Sequence, residues 1–237
     1  MADNEMAMDT RVTPSFHSAN VRALKGYDAD TAPLFQQTEE AFDMAYRTVL
    51  SIHDAREKAE NDPTLNESAR LVMTADFADK VMEKATVAFD RAGASLRNNI
   101  AALEKSLAEP VQARAAHTIS VEIRNYVREL KTAASAMDFV RRAIDAGDHD
   151  TVSAVLGAPA YLSGMTPEQQ AVMLRMYHEK ARPDVSKRLA ALKAAQDHLD
   201  RNAPLIHGQI EKAIGGDWRK VQMLRKASNA TKKAFGL

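Results

Sequence analysis

Residues 71–103, LVMTADFADKVMEKATVAFDRAGASLRNNIAAL, decide the fold. Small and apolar side chains recur at Leu71, Ala75, Ala78, Met82, Ala85, Phe89, Ala92, Leu96 and Leu103, in steps of four and three. That rhythm holds a narrow seam on one side of a helix, as in coiled coils, whereas a half-buried strand would alternate at every second residue. A polar residue, Asn99, interrupts the seam. A buried Asn at such a place fixes register at some cost in stability. Gly93 lowers helix propensity by roughly 1 kcal/mol relative to alanine, so a close backbone approach is expected there. Upstream, Thr64-Leu-Asn-Glu67 reads as a capping box that opens this helix.

Two further seams flank the first. From about Ala32 to Glu60 the apolar positions are Phe35, Thr38, Phe42, Ala45, Val49 and Ile52, with Thr31 as N-cap and Pro33 in the first turn. Asn61-Asp62-Pro63 ends that segment. Beyond Glu109-Pro110 a third seam runs through Ala116, Ile119, Ile123, Tyr126, Leu130, Ala133, Met137, Val140 and Ile144 to a stop at Gly147. Short turns between long seams imply antiparallel neighbours. The expected fold is all-α: an elongated antiparallel helical bundle of three long heptad-patterned helices, then a kinked set of shorter C-terminal helices.

The expected organisation has four parts. Residues 1–30 form an N-terminal arm with a short helix around Ser15–Lys25, and 31–147 form the three-helix bundle. Residues 148–166, punctuated by Gly157, Pro159 and Gly164 around a helical piece Thr151–Leu156, form an elbow. Residues 167–237 form a C-terminal helical region with a basic tail. Within it, Thr166-Pro167-Glu168-Gln169 caps a helix to Ala181, and another spans Asp184 to Arg201. Pro204 opens a short helix ended by Gly215-Gly216, and Asp217 caps a last helix beginning at Trp218. Whether Pro110 and Pro183 kink helices or separate them is open at this level.

Composition narrows function by exclusion. With 32 basic and 32 acidic residues among 237, the chain is not polyanion-binding as a whole. The absence of cysteine removes disulfides, thiolate metal sites, thiol catalysis and prenyl or palmitoyl anchors. No apolar run approaches the ~20 residues needed to span a bilayer, so no membrane partner is expected. The first ten residues hold three acids and no base, unlike a secretory n-region. A soluble, intracellularly synthesised protein is the expectation.

The residues offer little chemistry. His178-Glu179 lacks the second histidine of a zinc-protease helix, and no Glu-x-x-His pair occurs. His53/Glu57 and His207/Glu211 stand four apart, where surface contact is the ordinary role. Asp148-His149-Asp150 sits where capping residues belong. Gly215-Gly216-Asp217 imitates a phosphate cradle, but an acidic cap repels phosphate. No catalytic residue, cofactor or metal ligand is assigned.

The strongest charge bias lies at the C-terminal end. From Asp217 to Leu237 there are six basic residues, Arg219, Lys220, Arg225, Lys226, Lys232 and Lys233, against one acid. They are candidate contacts to an acidic protein surface or to phosphates, with helix-dipole compensation on a solvated face as the plainer role. Trp218 joins them as an anchor into either the chain's own core or a partner.

The stretch Ala146-Gly-Asp148-His-Asp150-Thr-Val-Ser-Ala-Val-Leu156-Gly-Ala-Pro159-Ala-Tyr-Leu162-Ser-Gly164 resembles a segment of uncharacterised helical proteins of tailed bacteriophages and prophages. The resemblance covers residues 146–164 and carries no catalytic or binding motif. It implies a virion structural or assembly context, with other structural proteins or further copies of this chain as partners. The expected function is therefore a non-catalytic structural or assembly protein, a capsid, connector or internal component. A nucleic-acid-associated protein using the basic C-terminal helix is the alternative, and a helical metal-dependent enzyme the third reading.

Overall fold

The computed structural model describes residues 8–115, 119–130 and 132–235. All regular structure among them is helical. The helices are α1 (Ala19–Arg22), α2 (Ala32–Glu60), α3 (Glu67–Ala115), α4 (Ile119–Glu129), α5 (Ala133–Ala146), α6 (His149–Leu156), α7 (Pro167–Ala181), α8 (Pro183–Asn202), α9 (Leu205–Ile214) and α10 (Trp218–Ala234). Single 3-10 turns lie at Pro14–Phe16 and Ala160–Ser163. The chain divides into two compact units, Met1–Arg97 with Lys193–Leu237, and Asn98–Leu192. The divisions fall within α3 and α8, not at the expected elbow.

In the first unit the α2 seam forms the core as anticipated: Phe35, Thr38, Phe42, Ala45, Val49 and Ile52 are all buried. From α3, Leu71, Ala75, Ala78, Ala85, Phe89, Ala92 and Leu96 join them. Phe42 meets Phe89 edge-on at 5.3 Å between ring centroids, and Phe16 stacks near both. Such aromatic pairs add roughly 0.5–1.5 kcal/mol beyond their buried area. At Gly93 an added Cβ would meet side chains, Arg97 of the same helix at 3.2 Å and Leu199 of α8 at an ordinary 3.7 Å, so the close backbone approach expected there is not found among the described residues.

The described part of the N-terminal segment is not a detached arm. Val12, Phe16 and Val21 are buried in the first unit. Arg11 pairs with Asp9, Asp54 and Glu57, tying residues 9–12 to α2. These anchors are spaced irregularly, so periodicity does not reveal them. Residues 1–7 lie outside the described residues.

Two helix starts differ from expectation. Thr31 makes no side-chain cap; its buried hydroxyl donates to the Gly26 carbonyl and accepts from the Asp28 amide, closing the turn before α2. The cap of α3 is Asn66, whose Oδ1 accepts from the Ala69 amide at 2.9 Å, while Thr64 bonds back to Asp62. Asn99 is exposed. The buried, register-fixing position expected for it is therefore not what the structure shows.

The third long helix is divided. Pro110 sits inside α3, which continues to Ala115, whereas Pro183 starts α8 after Arg182, at φ −140° and ψ 63°, ends α7. The anticipated seam is then split between α4 and α5, because Thr132 is extended and caps α5 through the Ser135 amide. On α4 the buried residues are Ser120 and Val127, while Ile119 and Tyr126 are exposed. Arg124 sets that rotation: its guanidinium donates to the carbonyls of Ala115 and Ala154 at 3.3 and 3.0 Å. Ala116, the first residue of the expected seam, lies outside the described residues.

The expected elbow is core of the second unit. Val152, Val155 and Leu156 of α6 pack with Val140 and Ile144 of α5, Val127 of α4 and Met173 and Tyr177 of α7. Asp148 caps α6 through the Thr151 amide, Gly147 takes the left-handed conformation ending α5, and Thr166 with Gln169 forms the full capping box of α7. The Gln170 amide donates to the Leu156 and Ala158 carbonyls, closing the loop after α6. Glycine and proline here shape tight turns within a core; they do not mark a linker.

Candidate functional site

Helix α10 carries the basic residues singled out above. It starts because the Asp217 carboxylate accepts the Lys220 amide at 2.7 Å, and Gly215, with φ of 77°, ends α9 just before it. The Arg56 guanidinium lies where a Cβ on Gly215 would stand, 2.5 Å from its Cζ. An acidic cap and an arginine-filled turn leave no phosphate cradle at Gly215-Gly216.

The six basic residues divide by face. Arg225 points inward to α3, donating to Asp76 at 2.6 Å and Asp79 at 2.7 Å, and its side chain is only 22% exposed. Burial opposes its charge, but the hydrogen bonds it donates to Asp79 and Asp76 outweigh that and raise its pKa. Lys220 reaches Glu67 at 3.2 Å. Val221 is fully buried, Leu224 half-buried, and Trp218 half-buried on the same inward side. Arg219, Lys226, Lys232 and Lys233 are exposed and make no ion pair among the described residues. From Lys226 to Phe235 every residue is exposed.

A second row emerges that the charge pattern conceals. Met223, 63% exposed, is followed at steps of four, three and four by Ala227, Ala230 and Ala234. At 3.6 residues per turn these four share one face, opposite Val221 and Arg225. The same four-and-three spacing reveals α2 and α3; on α10 the charges draw attention away from it.

The histidines do not converge. Arg11, not His53, receives Glu57, and His149 shares a 3.0 Å hydrogen bond with the Tyr177 hydroxyl. His207 is exposed on α9. Burial lowers the pKa of His53, His178 and His198, aided by Arg11 at His53 and by Arg201 at His198. In each, Nε2 is buried without a hydrogen bond. Among the described residues no three His, Asp or Glu side chains are grouped as metal ligands. A groove of about 450 Å³ is lined by Arg56, Glu60, Glu67, Arg70 and Lys220, whose charges are partly paired as Arg56–Glu60 and Lys220–Glu67. No described helix is long and apolar enough to cross a membrane.

Comparison of the chain with protein-family models, with curated proteins and with solved structures gives no match. Function must be argued from the helices themselves.

Proposed function

We propose that this chain is a non-catalytic helical structural or assembly protein of a large complex, a component of a tailed-phage virion (capsid, connector or internal protein) acting through protein–protein contacts. The observation that carries this reading is the second half of α10, exposed on every side from Lys226 to Phe235. Most helical stability in proteins comes from packing one face, and none of the described residues buries this segment, so docking on a partner surface would stabilise it. Exposed apolar side chains on the second unit, Ile119, Tyr126 and Tyr161, add further contact area. The resemblance of residues 146–164 supplies the virion context. Partners are other structural proteins or further copies of this chain, with synthesis in the host cytoplasm before packaging.

The test is quantitative mass spectrometry of purified particles from a host carrying this gene. A fixed number of copies per particle is expected; particles that assemble intact without the chain would overturn the reading.

A second reading has one observation in its favour. Arg219, Lys226, Lys232 and Lys233 have no acidic partner among the described residues, and such a row could follow a phosphate backbone. Binding of that kind loses about 0.9 log unit of affinity per neutralised phosphate for each log unit of salt. Fluorescence anisotropy on duplex DNA at two salt concentrations separates the two readings.

A further inference from the structure

The outer face of α10 has the layout of half a coiled coil. Met223, Ala227, Ala230 and Ala234 occupy the seam, and Arg219, Lys226 and Lys233, seven residues apart, line one flank. Flank positions of a coiled coil choose the partner by charge. We propose that this face docks an acidic helix of a different protein, one with a small or apolar seam flanked by Glu or Asp.

Three observations select that occupant. First, α10 already pairs in this way on its inner face, where Arg225 forks between Asp76 and Asp79, three residues apart on α3. Second, no acidic residue follows Asp217, so the outer flank has no charge of its own to complement it. Third, the face disfavours a second copy of itself. Antiparallel pairing would set the basic flanks against each other, and parallel pairing would set them against Leu224 and Thr231, which carry no charge. An exposed methionine, Met223, at the start of the seam argues for a protein surface over a phosphate backbone, because it gains by leaving water.

The proposal rests on the assembly reading, and its failure is separable from that one. Absence of the chain from particles would overturn the assembly reading and leave a helix-binding face intact. A failed titration would overturn this face alone.

The test uses the full chain and a fluorescent synthetic helix of four heptads, with alanine and leucine in the seam and glutamate at both flanks. A lysine-flanked version and a short DNA duplex serve as comparison probes. The acidic helix is expected to bind at low salt, weaken at high salt as screening sets in, and outbind both comparison probes. The triple substitution Arg219→Glu, Lys226→Glu, Lys233→Glu is expected to weaken binding by about tenfold or more. Lys232→Gln, on the opposite side of the helix, is expected to change it by less than about twofold. Ala230→Lys separates packing from charge: it obstructs a seam but strengthens attraction to any polyanion. Loss of acidic-helix binding in that variant supports the proposal. These side chains are exposed, and circular dichroism verifies that helix content is retained. No binding at low salt, indifference to the triple substitution, tighter binding to DNA, or stronger acidic-helix binding in Ala230→Lys would each overturn it.

Discussion

A methyl group added at Gly157 would stand 2.4 Å from the Val111 carbonyl oxygen and 2.8 Å from the Ala115 Cβ. The backbone there has an ordinary negative φ of −86°, so the demand is for space alone. Gly157→Ala forces α6 off α3 within the second unit, and overpacking of this kind costs about 1–3 kcal/mol. A lowered urea midpoint with faster amide exchange in α6 is expected; an unchanged midpoint would mean the contact yields easily. The buried histidines impose a different dependence. Because the folded pKa values of His53, His178 and His198 are lowered, the unfolded chain takes up protons first as pH falls through its ordinary histidine value of about 6.5. Stability should be flat above pH 7 and decline between about pH 7 and 5, before the carboxylates matter. Asp9, held at about 2 by its hydrogen bond from Arg11, loses that interaction only in stronger acid. Urea midpoints at pH 7.5 and 5.5 measure the difference. An equal or higher midpoint at the lower pH would contradict this account of the three side chains.

At the scale of elements, caps and faces set the boundaries. Asn66→Ala should destabilise the chain by about 1 kcal/mol, and Thr64→Ala by well under half of that, because only Asn66 bonds an α3 amide. Equal effects in urea denaturation would restore Thr64 as the cap. Helices α2 and α3 were legible in the sequence because Phe35, Phe42, Val49, Leu71, Phe89 and Leu96 have one spacing and one fate, burial. On α4 the same spacing misled. Ile119 and Tyr126 are 60% and 54% exposed, since Arg124 must turn inward to satisfy the Ala115 and Ala154 carbonyls. Hydrophobic rhythm carries no sign of where two orphan carbonyls will lie. The elbow misled for a related reason: Gly157 and Pro159 look like a linker, yet Val152, Val155 and Leu156 beside them are core. The basic residues of α10 were legible as a group, but not their division by face, which depends on Asp76 and Asp79 about 150 positions away.

In the whole molecule, the part of α10 that holds to the fold is distinct from the part that meets the outside. Val221, Leu224 and Arg225 attach the first turns of α10, whereas every residue from Lys226 to Phe235 is exposed. Ending the chain after Arg225 should leave the thermal midpoint unchanged while abolishing recruitment into particles. A drop in midpoint would place the segment in the fold instead. The most direct measurement compares hydrogen exchange of residues 226–235 in the isolated chain and in purified particles. The account predicts rapid exchange in the isolated chain and strong protection once assembled. Equal exchange in the two states would contradict it.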